Sequence, residues 1–469
     1  MAGVIVLGAG VCGLATAMLL SRDGHEVTVL ERDEGSVPES PEEAWYRWSR
    51  DGVTQFRQAH YLQSRGRAVL EEELPDVAEA LEDAGAVRFD PLGLMPPSIA
   101  DRAPRADDER FVTITARRPT LEQVFGRMAE AEPRVDVRRG VAVRELTMRT
   151  YNGTPHVTGV RTDSGEELGG DLVVDAMGRR SQLPRFLSDA GVAPVHEESE
   201  DSGFIYYTRF FSSSGGAPPE PRAPLLTPIG SFSVLTLPGD SETWSVTLYI
   251  STGDRPLKRL RHPDRWMSVV AACPLHAHWL EGEAISDILP MSGVVDRYRR
   301  LAVDGRPAVN GVALVADSWA CTNPSLGRGI ALGLLHAQRL RDLVRSHLED
   351  PVEFSEAWDA VTEAELTPWY RETVAEDRNR LREIEALRTG IEPERPTDPA
   401  GALRSAMLAA VPHDAEVFRA FMASRCCLTP LGETLEQPGL TDRLLGQGDG
   451  YERRPIPGPG RKELLQLLD

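Results

Sequence analysis

Three glycines near the start of the chain have the spacing of a phosphate-binding turn. They lie in the run Val4-Ile-Val-Leu-Gly-Ala-Gly-Val-Cys-Gly13, between a buried strand and an apolar helix that continues through Leu20. In this pattern the first glycine makes the tight turn, the second lets the backbone approach a pyrophosphate, and the third lets the helix pack on the strand. The helix N-terminus offers free N–H groups and a partial positive charge to the phosphates. The residues expected at the pyrophosphate are Gly8, Gly10, Val11, Cys12 and Gly13.

An acidic residue ends the next strand, as a dinucleotide site requires. The strand Val27–Leu30 is followed directly by Glu31 and then Arg32. An acid at this place accepts hydrogen bonds from the adenosine ribose, and we assign Arg32 to the cofactor as well. Strand, turn, helix, second strand and acid occur in order, which makes the motif far more specific than its glycines alone. The sequence therefore predicts a Rossmann-type dinucleotide site.

A second glycine element far along the chain indicates which dinucleotide binds. An apolar strand leads to Asp317, a short loop carries Asn323 and Pro324, and Gly327-Arg-Gly329 opens another helix, which is predicted to continue to His347. Dehydrogenases that use NAD lack such an element. The chain here resembles the FAD-dependent monooxygenases of the p-hydroxybenzoate hydroxylase-like fold.

The resemblance implies roles for this second element. Asp317 would hold the ribityl chain and pyrophosphate of FAD. The turn from Pro324 through Gly327 to Gly329 would pack against the flavin ring, and the helix N-terminus with Ile330 would face the pyrimidine edge. This agrees with electrostatics, because reduced flavin is anionic at N1 and N–H groups at a helix start stabilise that charge.

The segment that follows strand Leu172–Asp175 departs from the resembled family. Its Asp-Gly pair, linked there to FAD and NAD(P)H binding, is replaced by Met177-Gly178, and Ser181 is kept. The chain has no second GxGxxG unit. We therefore expect reduced flavin to come from a separate reductase, or NAD(P)H to be used directly but poorly.

Two further segments narrow the resemblance to one group within these monooxygenases. Gln55-Phe-Arg57-Gln-Ala-His60 and the run from Asp201 to Arg209 are similar to the flavin epoxidases of polyether-antibiotic biosynthesis, although an Arg stands at 328 where those relatives have His. The likeness covers roughly residues 1–345. It places Gln55, Arg57 and Arg118, the last at a predicted helix start, beside the flavin.

The implied activity is insertion of one oxygen atom from molecular oxygen into a large apolar natural product, polyketide- or terpenoid-like. The resemblance implies a flavin C4a-hydroperoxide, and it leaves epoxidation and hydroxylation open. Such chemistry needs no protein nucleophile, so the catalytic candidates are polar groups near the flavin: His60, Arg57, Arg209 and Asn323. For His60, a structural hydrogen bond under the ring is favoured over a catalytic role.

Three alternative activities fit the same cofactor motifs. A flavin halogenase would need a Trp-x-Trp-x-Ile-Pro run, whereas the chain has Trp45-Tyr-Arg-Trp48 without Ile-Pro. A flavin-dependent reductase of a prenyl or polyene chain, and a non-redox cyclase that holds FAD, remain open.

The predicted fold class is α/β with an α+β substrate part. A discontinuous Rossmann-type FAD-binding domain (1–85, 111–190 and 295–347) carries an inserted antiparallel-sheet substrate domain (86–110 and 191–294), and a helical C-terminal region follows (348–469). Val135–Val137, Val141–Leu146 and Leu172–Asp175 are expected to continue the first sheet, and Pro393–Pro399 is expected to interrupt the C-terminal helices.

Composition agrees with a soluble enzyme. The chain has 469 residues, 41% hydrophobic content and a net charge of −20, which disfavours nucleic acid and anionic membranes as partners. No apolar run approaches the roughly 18–20 residues of a membrane span. The start of the chain shows no signal peptide, and five cysteines without a disulfide or metal spacing suggest reduced thiols in a cytoplasmic protein. We expect no metal.

Overall fold

The computed structural model describes residues 1–213, 216–303, 305–391, 399–446 and 456–469. The strands are β1 Gly3–Leu7, β2 Glu26–Glu31, β3 Val87–Phe89, β4 Thr113–Thr115, β5 Val135–Arg139, β6 Val143–Tyr151, β7 Thr154–Thr162, β8 Glu167–Gly169, β9 Leu172–Asp175, β10 His196–Asp201, β11 Phe204–Ser212, β12 Leu226–Ile229, β13 Phe232–Pro238, β14 Thr243–Ser251, β15 Glu283–Ala284, β16 Leu289–Met291, β17 Val295–Arg300, β18 Ala302–Val303, β19 Arg306–Pro307, β20 Val312–Leu314 and β21 Ala320–Cys321. The α-helices are α1 Val11–Arg22, α2 Pro41–Tyr46, α3 Ser64–Glu73, α4 Pro75–Asp83, α5 Arg118–Ala131, α6 Leu183–Asp189, α7 Pro263–Ala271, α8 Gly329–His347, α9 Pro351–Val361, α10 Thr367–Thr389, α11 Pro399–Ala410, α12 Ala415–Arg425, α13 Leu431–Leu435, α14 Leu440–Gly446 and α15 Arg461–Leu467.

A parallel sheet carries the cofactor motifs. Its strand order is β20-β9-β1-β2-β5, and every neighbouring pair runs parallel. Because β1 lies in the middle with β9 on one side and β2 on the other, the strand ends at Leu7, Glu31 and Asp175 meet at one edge of the sheet. Ligands of open parallel sheets bind at this carboxyl edge.

The sheet is buried on both faces, which explains its continuous apolar strands. Helices α1, α5 and α8 cover one face, where Val4, Val6 and Leu14 join the same core. The other face packs against the antiparallel strands β6 and β7 and helix α6, through Val157 and Phe186. The expectation that Val141–Leu146 extends the parallel sheet is wrong: β6 pairs with β7 in a separate antiparallel sheet, and its apolar side chains pack on the face of the parallel sheet.

A second, larger antiparallel sheet forms the predicted substrate part. Its order is β12-β13-β14-β11-β15, and β16 pairs with the other end of β11. The core between this sheet and α7 is aromatic, with Phe211, Trp244, Trp266 and Trp279 fully or almost fully buried. This core fixes the sheet, so that its opposite face can border a cavity. The predicted mixed fold class is confirmed, whereas the domain boundaries stay predictions.

The C-terminal region is helical where it is described. Helices α9 and α10 are joined without a break by a π-helical turn, Thr362–Leu366. Most of the predicted interruption, residues 393–398, lies outside the described residues. Within the part of the chain that the structure describes, no helix is both long enough and apolar enough to cross a bilayer.

Candidate active site

The glycine turn between β1 and α1 has the geometry that its sequence predicts. Gly8 has a φ of +104°, and a Cβ there would stand 2.6 Å from the carbonyl oxygen of Ala176. A Cβ on Gly13 would stand 2.2 Å from the carbonyl oxygen of Gly8, so the close packing of turn and helix excludes a side chain. Gly10 differs from both, since a Cβ there would meet nothing within 4 Å. The open face of Gly10 is where a phosphate group would fit.

One long cavity runs from this turn to the antiparallel sheet. The assigned cofactor residues that line it are Gly8, Gly10, Val11, Cys12, Gly13, Glu31, Arg32, Gln55, Arg118, Asp317, Pro324, Gly327, Gly329 and Ile330. The structure thus brings together motifs from both ends of the chain. Of the assigned cofactor set, only Arg57 is absent from the cavity wall.

Asp317 is well placed to bind polar groups of a ligand. It lines the cavity, and among the described residues nothing hydrogen-bonds its carboxylate. Burial raises the pKa of Asp317, while the charges of Arg179 and Arg118 oppose that shift. The adjacent Ser318 bonds Asp175 and accepts from the backbone N–H of Gly178, which connects the loop to the Met177–Ser181 segment.

His336 hydrogen-bonds the loop that carries Asp317. The backbone N–H of Ala316, which has a φ of +52°, donates to Nδ1 of His336 at 3.3 Å. The other ring nitrogen of His336 bonds Thr362 Oγ1 in the π-helical turn at 3.1 Å. Burial lowers the pKa of His336 to about 3, so the ring is neutral and can accept this N–H.

A buried ion network borders the end of the cavity that carries Glu31. Arg50 binds Glu31 at 2.7 Å, Asp33 at 3.0 Å and Glu122 at 2.7 Å, and its side chain is 2% exposed. The Glu31 carboxylate also accepts the backbone N–H of Ala9 and of Asp33. The acid assigned to the ribose is therefore fixed in place by Arg50.

The network continues towards the predicted flavin end. Glu122 binds Arg118 at 2.6 Å, and Arg118 Nη1 lies 3.4 Å from His60 Nε2. Nδ1 of His60 bonds the carbonyl oxygen of Gln58 at 2.9 Å. Burial, helped by the charge of Arg118, lowers the pKa of His60 to about 3. His60 is thus a neutral ring with both nitrogens engaged, which supports the structural interpretation over an acid–base role.

Two of the catalytic candidates lie away from the cavity. Arg57 donates to the carbonyl oxygens of Trp45 and Trp48, and Arg209 donates to the carbonyl oxygen of Ser286. Neither arginine lines the cavity. In the case of Arg209 the reason is strand alternation, since its neighbours on β11 point to the opposite face. The geometry argues against contact of either residue with flavin or oxygen.

Asn323 lies in the cavity wall, but its polar groups are already bound to protein. Tyr206, Asp296 and Asp377 occupy its side chain and backbone N–H, and the residue is 2% exposed. Asn323 therefore shapes the loop of residues 322–328, called the flavin loop because it is predicted to border the flavin, and is not a free catalytic donor.

The thiols near the cavity are protonated at neutral pH. Burial raises the pKa of Cys12 to about 12 and that of Cys321 to about 11. Cys321 donates to the carbonyl oxygen of Val295 at 3.3 Å. All five cysteines are free, so these two are packing residues and not nucleophiles.

Sequence reasoning missed the charged residues that organise the site. Arg50 lies far along the chain from Glu122, and Asp377 lies on a helix that no motif connects to the flavin loop. The run of charges around each of them is ordinary for a solvated surface, so the sequence carries no local signal of their burial.

The raised pKa values of the buried carboxyl groups of Asp377 and Asp296 predict that the protein becomes less stable as pH rises. Burial raises the pKa of Asp377 to about 7 and that of Asp296 to about 6, from 3.8 for an ordinary aspartate. The folded protein then binds more protons than the unfolded chain between about pH 4 and pH 7, so stability falls as pH rises through this range. Each group contributes a slope of about 1.4 kcal/mol per pH unit where it is protonated only in the folded state.

Asp377→Asn is expected to remove its share of that slope. The free energy of unfolding, from denaturant titrations at pH 5, 6 and 7, should fall less steeply with pH in this variant than in the wild type. Glu198→Gln is the control, because Arg371 lowers the pKa of Glu198 to about 2 and its effect lies below this range. Parallel pH curves for Asp377→Asn and the wild type would contradict the assignment.

Comparison with known proteins supports FAD as the cofactor of the first part of the chain. Residues 1–204 match the family model described as FAD binding domain. Protein Rv3254 of Mycobacterium tuberculosis is 26% identical over 358 residues, 73% of each chain. The zeaxanthin epoxidase of Solanum lycopersicum is 25% identical over 213 residues, which are 44% of this chain and 28% of that protein.

Solved structures share the fold over most of the chain. PqsL, a probable FAD-dependent monooxygenase from Pseudomonas aeruginosa, superposes with a TM-score of 0.60 at 18% identity, over 83% of this chain and 98% of that one. The Diels-Alderase PyrE3 of pyrroindomycin biosynthesis has a TM-score of 0.59 at 17% identity, over 91% of this chain and 80% of that one. The chain has the p-hydroxybenzoate hydroxylase-like fold, and its first 204 residues match an FAD-binding domain.

Proposed function

We propose that the protein is a monooxygenase that uses FAD and molecular oxygen to epoxidise or hydroxylate an apolar, polyketide- or terpenoid-like substrate. The observation that carries this proposal is a continuous cavity whose one end has the FAD motifs and whose other end is walled by the antiparallel sheet. A cofactor bound at the motifs would present its ring to a molecule bound against the sheet. Similarity to an epoxidase over part of the chain supports the same reaction class.

The residues present fit FAD at the motif end. The open face of Gly10 and the first-turn N–H groups of α1 would take the pyrophosphate, Glu31 the ribose, and Asp317 the ribityl side. When bound, FAD would supply the electrons and the position at which oxygen reacts. The protein groups orient the cofactor and exclude water from it.

The sheet end of the cavity suits an uncharged molecule. Strands β11, β13, β14 and β16 contribute only uncharged side chains to its wall: Tyr206, Thr208, Leu235, Thr247 and Met291.

The polar groups of this wall satisfy one another. Thr208 Oγ1 bonds Gln58 Oε1 at 3.0 Å and Thr247 Oγ1 at 2.9 Å, and Gln58 Nε2 donates to the carbonyl oxygen of Leu289. A carboxylate buried here would find no charged partner on these strands, which is costly. An apolar substrate meets no such cost.

The electron source is part of the proposal. Met177 lines the cavity at the place of the family's Asp. This supports delivery of reduced flavin by a separate reductase, with direct use of NAD(P)H as the alternative.

Reaction of the reduced protein with oxygen tests the activity. Protein with bound FAD is photoreduced without oxygen, mixed rapidly with oxygenated buffer and followed by absorbance. The proposal predicts a transient species distinct from both reduced and oxidised flavin, which persists for seconds and decays faster with an oxidisable apolar alkene. Direct return to oxidised flavin, with or without the alkene, would contradict it.

Three variations of this experiment separate the alternatives. A halogenase would transfer chloride or bromide from the mixture to an electron-rich acceptor. A polyene reductase would oxidise the reduced flavin with its alkene in the absence of oxygen, and a non-redox cyclase would act equally well with oxidised FAD.

A further inference from the structure

Asn323 is a junction of three parts of the protein. The hydroxyl of Tyr206 on β11 donates to Asn323 Oδ1 at 2.5 Å, and Nδ2 of Asn323 donates to Asp377 Oδ1 on α10 at 2.9 Å. The backbone N–H of Asn323 donates to Asp296 Oδ1 on β17 at 2.7 Å. The substrate sheet, the C-terminal helix and the flavin loop are therefore tied together at one buried residue.

The rest of the flavin loop is bound to the same face of α10. Ser325 Oγ donates to Asp377 Oδ1 at 3.2 Å. Arg328, 3% exposed, donates to Thr373 Oγ1 at 3.0 Å and to Glu372 Oε1 at 2.6 Å. Successive turns of α10 thus hold the loop at both ends, just before α8 begins.

The loop determines where the N-terminus of α8 lies. Gly327 adopts a left-handed φ of +62°, and the N–H of Leu332 makes the first helical bond back to the carbonyl oxygen of Arg328. The N–H groups of the preceding turn are free to face a ligand. Reduced flavin carries a negative charge that oxidised flavin lacks, so a small displacement of these N–H groups weakens binding of the reduced form more.

We propose that Tyr206 and Asp377 are positioning residues that, through Asn323, hold the N-terminus of α8 where it favours reduced over oxidised FAD. The proposal rests on the function proposed above, because it takes the loop to lie at the flavin ring. It assigns a role to α10, and it connects the wall of the substrate pocket to the cofactor.

The test compares the affinities of the two redox states of FAD. Full-length apoprotein is titrated with oxidised FAD by fluorescence quenching, and the midpoint potential of the bound cofactor then gives the affinity for reduced FAD. For Tyr206→Phe and Asp377→Ala we expect the affinity for reduced FAD to fall about tenfold and that for oxidised FAD by less than threefold.

Two matched variants serve as controls. Asp377→Asn keeps an acceptor oxygen for Asn323 and should retain the wild-type ratio of affinities within twofold. Tyr207→Phe removes the neighbouring hydroxyl on the other face of β11, which bonds the carbonyl oxygen of Lys258 at 3.4 Å, and should also leave the ratio unchanged.

The outcomes separate this inference from the proposed function. Equal losses for both redox states, no loss, or a ratio in Asp377→Asn as altered as in Asp377→Ala would overturn the positioning role. If Asp377→Ala fails to fold, Tyr206→Phe against Tyr207→Phe decides. Wild-type protein that binds FAD with an unmoved ratio in the variants refutes only this inference, whereas wild-type protein that binds no FAD refutes the proposed function itself.

Discussion

Gly10→Val is expected to lose FAD while the protein stays folded. The backbone of Gly10 (φ −81°, ψ 171°) is open to any residue, and a Cβ would meet no atom within 4 Å. The added side chain would instead occupy the space at the N-terminus of α1 that a pyrophosphate needs. We expect the affinity for FAD to fall at least about a hundredfold, or about 2.7 kcal/mol, as measured by titration of apoprotein.

Gly460→Val is a matched control for this variant. Gly460 also precedes a helix in an extended conformation (φ −66°, ψ 166°), has open space around its Cβ position, and lies outside the cavity. It should bind FAD as the wild type does, and the apoproteins of both variants should unfold at nearly the denaturant concentration of the wild-type apoprotein. Full FAD occupancy in Gly10→Val would show that the pyrophosphate lies elsewhere.

Arg50→Met is expected to destabilise the protein by about 3–5 kcal/mol, the usual cost of removing one partner of a buried ion pair. The change leaves the carboxylates of Glu31, Asp33 and Glu122 without their shared cation. Denaturant titration at neutral pH measures the effect, and FAD affinity should fall with it because Glu31 is no longer fixed.

Arg88→Met is the control for Arg50→Met, because Arg88 also binds carboxylates but is exposed to solvent. Arg88 binds Glu71 and Glu82 at the surface, and its side chain is 46% exposed. Its loss should cost less than about 1 kcal/mol. If the two arginine variants are destabilised equally, burial of the Arg50 network is not what stabilises this end of the site.

The sequence predicts those parts of the site that depend on local backbone geometry. The turn at Gly8 and the close packing at Gly13 follow from glycine spacing alone, and the structure confirms both. The helix expected over Gly329–His347 has the observed bounds, because a glycine turn precedes it and its apolar face is periodic.

Interactions between distant side chains could not be predicted in this way. Arg50 and Asp377 act through partners on other elements, and only the folded chain brings them together. The sequence itself contains the reason why Arg209 does not reach the cavity: Tyr206 and Thr208 share one face of β11, and strand alternation places Arg209 on the other face. The prediction for Val141–Leu146 is wrong because a strand pattern does not specify which sheet the strand joins.

Titration of the apoprotein with FAD and with FMN tests the central claim, that the motif end of the cavity binds a dinucleotide flavin. FMN carries the flavin and one phosphate but lacks the second phosphate and the adenosine, which the α1 N-terminus and Glu31 would help to hold. We expect saturable binding of one FAD per chain and an affinity for FMN at least about a hundredfold lower, or about 2.7 kcal/mol. Equal affinities for FMN and FAD, or no saturable binding of FAD, would contradict it.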